Sequence, residues 1–365
     1  MNLFIRTSIA PYRIDLYNTL YGEGRFRMCF YRRVALDQAF DPAWLESLCE
    51  FRPDYLAGIE MGRSSRKICF GILRRIREEE PDVVIVPEFQ LVLYQVLLAR
   101  IFCRKKYRIV SMCDDSIDMI ENRRDFSRLH RWLREWVPKV VDEIITVTPQ
   151  VRDWYRARFG KGLWMPIIRD DRKMRESLED ALPASQACVD RYGLVGHRVL
   201  LFVGRLISIK NVNILMDVFG KSGVEDAVLV IVGEGPEMES LQKQSSFMGD
   251  RVIFTGRLEG RELYAWYNIA GVLALLSDRE AFGAVVNEAL LGGADVWVSG
   301  RAGAACLVDG KNGKVTDIED RDALPGELES LLMASEPVPT KLGLRPSKMP
   351  FCFDDQCNEL IDSLK

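Results

Sequence analysis

The chain of 365 residues is long enough for two domains with a core each, and its 48% apolar and 28% charged residues exclude a disordered, collagenous or coiled-coil protein. Its net charge of -3 divides into +5 over residues 1–180 and -8 over the remainder, far from the basic excess of a nucleic-acid binder. Nine cysteines without a Cys-x-x-Cys pair, and only His130 and His197, argue against a zinc site and for a reducing compartment.

From the amino terminus, Met1 to Arg6 has a short apolar run and no cleavable signal pattern. Strands are predicted at Asn2 to Ser8, Met28 to Tyr31, Val83 to Val86, Arg108 to Met112 and Glu143 to Val147, with amphipathic helices between them. Gly160 closes a helix that begins near Gln150. The apolar run Leu91 to Phe102 is broken by Gln95 and Arg100 and falls short of the ~20 residues that span a bilayer. In Asn122 to Val140, Phe126, Leu129, Leu133, Trp136 and Val140 share one helical face and Arg124, Arg128 and Arg131 another, the pattern of a helix packed on a sheet. Together with Arg104-Lys105-Lys106, that helix also has the charge to contact an anionic membrane peripherally.

Residues 169–195 are highly polar and read as an interdomain linker. A second series of strands follows at Val199 to Val203, Ala227 to Val232, Val252 to Phe254, Val272 to Leu276 and Val296 to Ser299, again alternating with helices. The alternation predicts an α/β protein of two doubly wound parallel domains, 1–175 and 185–350. Cys357, Leu360, Ile361 and Leu364 recur at helical spacing, so the tail 352–365 should dock on a domain.

Three loops carry chemistry. Val203-Gly204-Arg205 ends a buried strand, and Lys210-Asn211 lies near the start of the next helix, where Arg205 and Lys210 could clamp a diphosphate or simply be surface charges. Gly233-Glu234-Gly235-Pro236 lacks the full Gly-x-Gly-x-x-Gly fingerprint, which weighs against a dinucleotide oxidoreductase and leaves a structural tight turn as the alternative. Glu280 precedes a helix amino terminus and Glu288 follows eight positions later. Two such carboxylates can accept hydroxyl hydrogen bonds from different parts of one elongated ligand, and the amides of Phe282, Gly283 and Ala284 can meet a phosphate. Taken alone, the two glutamates read as ordinary solvated side chains.

The order and spacing of these motifs, from Val199 to Gly313, resemble glycosyltransferase family 4, the retaining sugar-nucleotide-dependent transferases of the GT-B fold. The matching residues are Val203-Gly204-Arg205-Leu206, Lys210-Asn211, Ile231 to Pro236, Val252 to Gly256, Leu263 with Tyr267 and Ala270, Ser277, Glu280-x-Phe282-Gly283, Glu288-Ala289 and the glycine-rich Gly300 to Gly313. The resemblance implies two Rossmann-like domains facing across a cleft, with the tail helix crossing back to the first. It implies that Arg205 and Lys210 neutralise the donor diphosphate, with Gly204 beside them, in place of any bound metal or cofactor. It likewise implies that Glu280 holds hydroxyls of the transferred sugar, that Glu288 binds the ribose, that Gly256 and Arg257 flank the base, and that amides from Phe282, Gly283, Ala284 and Val285 face the phosphates.

The first half departs from the family pattern. Ser8-Ile9-Ala10-Pro11-Tyr12-Arg13 replaces the glycine-rich loop of many relatives, and a subset with this Pro-Tyr-Arg version makes Tyr12 and Arg13 acceptor-side candidates. Cys113-Asp114-Asp115-Ser116 stands where many relatives have a histidine, which makes Asp114 and Asp115 candidates to hold the donor sugar or receive the acceptor proton, with helix capping as the plainer role. Ala294 to Trp297 replaces a proline-containing strand entry. The expected activity is retaining transfer from a UDP- or GDP-sugar to a glycan or lipid-linked acceptor, in surface polysaccharide or glycoconjugate assembly, in the cytoplasm or peripherally at the inner membrane face. A catalytically silent sugar-nucleotide-binding partner subunit and an epimerase of the same fold are the alternatives.

Overall fold

The computed structural model describes residues 1–34, 40–60, 67–121 and 127–365. Contacts divide the chain into two units, Met1–Ile167 with Phe353–Lys365, and Ile168–Cys352. Among the described residues no helix is long and apolar enough to cross a membrane.

The first unit is built on a sheet of β1 (Asn2–Arg6), β2 (Phe26–Phe30) and β3 (Asp54–Tyr55), a separate antiparallel hairpin of β4 (Gly58–Glu60) and β5 (Lys67–Cys69), and four further sheet strands, β6 (Val83–Pro87), β7 (Arg108–Cys113), β8 (Glu143–Thr146) and β9 (Leu163–Trp164). The main sheet runs β3-β2-β1-β6-β7-β8-β9, with parallel pairing throughout. Its central strands read as unbroken apolar runs because helices cover both faces: Leu3, Phe4, Val84, Ile85, Ile109 and Val110 are all buried. Chain order reverses between β1 and β6, so the loops after those strands diverge there and leave a crevice at the carboxyl edge.

The second unit repeats the plan with β10 (Arg198–Val203), β11 (Ala227–Val232), β12 (Val252–Gly256), β13 (Val272–Leu275), β14 (Asp295–Ser299) and β15 (Gly313–Thr316). The order is β12-β11-β10-β13-β14-β15 and the reversal falls between β10 and β13, paired Leu200 to Val272 and Leu201 to Leu273. On one face Leu200, Phe202, Leu229 and Ile231 pack against Leu215, Met216 and Phe219 of the helix Val212–Lys221 and against Leu324, Leu328 and Leu332 of the helix Leu324–Ala334.

Two expectations need correction. The polar stretch 169–195 is no loose linker: it forms the helices Asp171–Asp180 and Leu182–Tyr192, which pack on the helix Gly260–Ile269. Asp170 caps the first by accepting from the Arg172 amide at 2.9 Å, and Met174, Leu178 and Val189 are buried behind a charged outer face. In the helix Arg128–Val140 the inward face is Arg134, Val137 and Pro138, while Leu129, expected inside, is 58% exposed. Arg124 and Phe126 of that expectation lie outside the described residues. The tail helix Phe353–Leu364 buries Cys357, Leu360, Ile361 and Leu364 on the first unit, where Arg108 donates to Leu364 O at 3.2 Å.

Candidate functional site

In the second unit, backbone hydrogen bonds lock the loops beyond the strand ends to one another. Gly204 N–H donates to Val232 O at 3.0 Å, Leu206 N–H to Glu234 O at 2.9 Å, Gly233 N–H to Gly256 O at 2.9 Å and Asp278 N–H to Ile209 O at 2.8 Å. This closeness explains the Gly233-Glu234-Gly235 motif: a Cβ at Gly233 would lie 1.8 Å from Gly204 O, and one at Gly235 would lie 2.3 Å from Leu206 O. The structural reason is therefore sufficient for these two glycines.

Within that frame Lys210 and Glu280, 70 residues apart, meet at the reversal point of the sheet, where Lys210 Nζ donates to Glu280 Oε2. Each is placed by its own device. Lys210 ends the 3-10 turn Ser208–Lys210, and the next residue, Asn211, takes a left-handed conformation with φ 54°. The buried Asn211 amide donates to Leu276 O and Asp278 Oδ1, both at 2.9 Å, tying the loop after β10 to the loop after β13. Glu280 forms an isolated parallel bridge with Ala302, its carbonyl accepts from Gly303 N–H at 3.2 Å, and Phe282 O accepts from Ala304 N–H at 2.7 Å. Glu280 thus lies on an extended segment before the helix, which begins only at Ala284, so helical geometry does not relate it to Glu288.

Gly283, at φ 99°, turns the chain into the helix Ala284–Leu291. Helix geometry leaves the first N–H groups of such a turn without acceptors four residues back, so the amides of Gly283, Ala284 and Val285 lie at the positive end of the helix, while Phe282 precedes the turn. Glu288, one turn on, has other partners. It accepts from Tyr267 Oη at 2.7 Å and lies 3.6 Å from the Arg169 guanidinium. Burial first, and then the Glu288 carboxylate, push the Tyr267 phenol well above its usual range, so it is a firm donor. Arg205 is exposed on the loop after β10, five residues before Lys210. Arg257 follows Gly256 (φ 75°) at the end of β12 and pairs with Glu259.

The carboxyl edge of the first sheet holds a different arrangement. Arg6, at the end of β1, and the buried Arg13 both grip Asp114, at 2.5 and 2.6 Å. Burial alone would raise the Asp114 carboxyl, but Arg13 and Arg6 outweigh it and hold it below the ordinary carboxylate range. Asp114 is therefore ionised and clamped. Asp115 pairs with the buried Arg134, so both aspartates serve arginines rather than helix amides. Tyr12 lies half-buried in the short turn Pro11–Arg13.

Sequence reasoning missed the group around Arg134. Glu88, directly after β6, accepts from Tyr155 Oη at 2.6 Å, and Tyr155 Oη is 3.3 Å from Arg134 Nη1. Burial raises the Glu88 carboxyl to about 7 against the pull of Arg134. His130, set aside from the sequence, stands 3.4 Å from Arg134 and packs on the Phe89 ring at 4.6 Å. Glu88, Cys113 and Asp115 bring one ligand atom each within 4.8 Å of one another. The cation already among them is the Arg134 guanidinium, and burial and the neighbouring carboxylates raise Cys113 well above its usual range, which keeps it a thiol and a poor metal ligand.

Three comparisons bear on these two units. Residues 192–342 match the family model for glycosyl transferases group 1. A GDP-mannose-dependent alpha-(1-6)-phosphatidylinositol monomannoside mannosyltransferase of Mycolicibacterium smegmatis is 35% identical over 156 residues, 39% of this chain and 41% of that protein. A GDP-mannose-dependent alpha-mannosyltransferase of Corynebacterium glutamicum is 36% identical over 138 residues, 37% of this chain and 32% of that protein. The aligned part thus spans less than half the length of either relative. Among solved structures, Anabaena HepE in complex with UDP superimposes with a TM-score of 0.70 at 16% identity, covering 100% of this chain and 99% of that one. The lipopolysaccharide outer core galactosyltransferase WaaB superimposes with a TM-score of 0.68 at 18% identity, covering 100% and 99%. Lys210, Glu280 and Glu288 all lie inside the matched span, so the second unit resembles glycosyl transferases group 1 over residues 192–342, and the chain carries the GT-B fold.

Proposed function

We propose that the protein transfers a sugar from a nucleotide-diphosphate sugar to a hydroxyl acceptor with retention at the anomeric carbon. The observation that carries this reading is the meeting of Lys210 and Glu280 beside a helix amino terminus, at the reversal point of the sheet in the unit that matches the family. Arg205 and Lys210 offset the negative charge that grows on the departing diphosphate, with the amides of Phe282 to Val285 donating to its oxygens. Glu280 accepts from hydroxyls of the transferred sugar, and Glu288, steadied by Tyr267, accepts from the ribose. Gly204 and Gly256 allow close approach of the donor, and Arg257 flanks the base. In this scheme cationic side chains take the part that a metal plays elsewhere.

The bond between the anomeric carbon and the phosphate oxygen breaks, the acceptor oxygen bonds to that carbon on the same face, and the acceptor proton passes to the released diphosphate. This front-side course suits a site in which no carboxylate is assigned as nucleophile. The acceptor is a glycan or lipid-linked hydroxyl bound by the first unit around Tyr12, Arg13, Asp114 and Asp115, and the setting is surface polysaccharide or glycoconjugate assembly on the cytoplasmic side, with the protein peripheral to the membrane. GDP-mannose is the first donor to test, since two relatives are named for it, with UDP-sugars next because HepE was solved with UDP.

Nucleotide release from a donor panel tests the proposal. Wild type releases nucleotide from one donor, and Lys210→Ala or Glu280→Ala lowers turnover by ~100-fold or more, as expected for loss of a charge-stabilising group. Near-normal turnover by either variant removes that residue from the site. Binding without release across the whole panel refutes the transferase reading.

A further inference from the structure

The helix Leu91–Phe102 is apolar on both sides. Its inner face, Val92, Leu93, Val96 and Ala99, is buried in the first unit. Its outer face, where a surface helix normally carries charge, presents Leu98 at 56%, Ile101 at 70% and Phe102 at 58% exposure. With 12 residues it is about 18 Å long, too short to cross a bilayer. The helix Arg128–Val140 repeats the pattern, with Leu129 and Trp132 turned outward.

The two faces form one surface. Tyr94, a turn before Leu98, stacks on Trp136 at 6.2 Å, and Trp136 stacks on Trp132 at 5.8 Å. Five of the sixteen exposed large hydrophobic side chains among the described residues therefore lie on one aromatic-linked patch. Such a contiguous patch is an interaction site rather than incidental exposure.

The rim identifies the occupant. Residues 91–108 hold Arg100, Arg104, Lys105, Lys106 and Arg108, and residues 127–140 hold Arg128, Arg131, Arg134 and Lys139 with Glu135. Arg100, Lys105 and Arg134 pair with Asp142, Asp82 and Asp115, and the cationic excess rests on the others. Arg104, Lys105, Lys106, Arg128, Arg131 and Lys139 are exposed. A shallow face of Leu, Ile, Phe and Trp bordered by cations matches the chemistry of a bilayer interface, where apolar side chains enter the acyl boundary, tryptophan sits at headgroup depth and cations meet anionic phosphates. We infer that the outer faces of Leu91–Phe102 and Arg128–Val140 form a docking surface for an anionic phospholipid membrane.

The inference rests on the peripheral location proposed above and on none of its chemistry. Vesicle binding is measured without donor or acceptor, so the two readings fail separately. Full-length protein is co-sedimented with vesicles of phosphatidylcholine alone and of phosphatidylcholine mixed with phosphatidylglycerol. Wild type should bind the mixed vesicles, shift its tryptophan emission to the blue and dissociate in high salt, while leaving phosphatidylcholine vesicles unoccupied. Ile101→Asn with Phe102→Asn should weaken binding at least ~10-fold. Arg104→Gln with Arg131→Gln, which leaves the apolar patch whole, should weaken it roughly 10- to 30-fold. Failure to bind the mixed vesicles, equal binding to both vesicle types, or undiminished binding by either folded variant overturns the inference. So does a concentration-dependent dimer that the Asn variant disperses, since the patch would then serve a second copy of the chain.

Discussion

Replacing Asn211 by Ala tests how the Lys210–Glu280 contact is held in place. The substitution deletes two hydrogen bonds of 2.9 Å, one to the carbonyl of Leu276 and one to Asp278, each contributing about 1 kcal/mol. It also puts Ala at φ 54°, a conformation that asparagine tolerates and that costs an ordinary side chain roughly 1 kcal/mol more. The total is about 3 kcal/mol, which for a unit of this size corresponds to a fall of roughly 6–12 °C in its melting temperature. Asn211→Gly loses the same bonds without the backbone strain and should melt roughly 2–4 °C above Asn211→Ala. Thermal unfolding by circular dichroism reads both, and repetition with a saturating sugar nucleotide reads the consequence for the site. The ligand-induced rise should shrink in both variants because Lys210 is no longer fixed opposite Glu280. An Asn211→Ala protein that melts within ~2 °C of wild type, or a Gly variant that melts below the Ala variant, would refute the reasoning.

Glu88 carries a pH prediction. Its folded carboxyl stays protonated up to about 7, above the ordinary 4.5, so between those values the folded state holds more protons than the unfolded one and stability falls as pH rises. His130, lowered by burial and by Arg134, acts in the opposite direction below its ordinary 6.5, so the Glu88 contribution is read as a difference: Glu88→Gln should melt less steeply with pH between 5 and 8 than wild type, and equal slopes would refute the assignment. Tyr267→Phe removes the phenol that donates to Glu288 and should weaken sugar-nucleotide binding roughly 5- to 10-fold with the fold intact; unchanged affinity by calorimetry would detach Glu288 from the ligand.

The central strands were legible because burial on both faces writes continuous apolar runs, and each predicted strand has a counterpart within a few residues. The edge strands β3, β9 and β15 left no such trace: they are two to four residues long and only partly buried. The helices at 171–180 and 182–192 were hidden by charge, since Met174, Leu178 and Val189 are their only buried apolar residues, joined by the buried Ser185. Reading Arg128–Val140 by apolar residues alone pointed it the wrong way, because its buried side includes Arg134, whose partners Asp115 and Tyr155 lie 19 and 21 positions away. The pairing of Lys210 with Glu280 could be anticipated from motif order, but the asparagine that enforces it appeared only as a neighbour of Lys210. Glu88 is a lone carboxylate after a valine-rich strand, and only the fold brings Tyr155 to it across 67 residues.

The passage of the chain out of the first unit at Ile167 and back at Phe353 has a bearing on biosynthesis. A ribosome releases the amino-terminal sheet long before the helix that seals its β9 side. The nascent sheet must therefore wait, with that flank bare, until the whole intervening unit has emerged. Chains stalled or clipped before Phe353 should display this uncovered flank to chaperones and proteases, which links quality control of the amino-terminal half to a segment made only after the second unit.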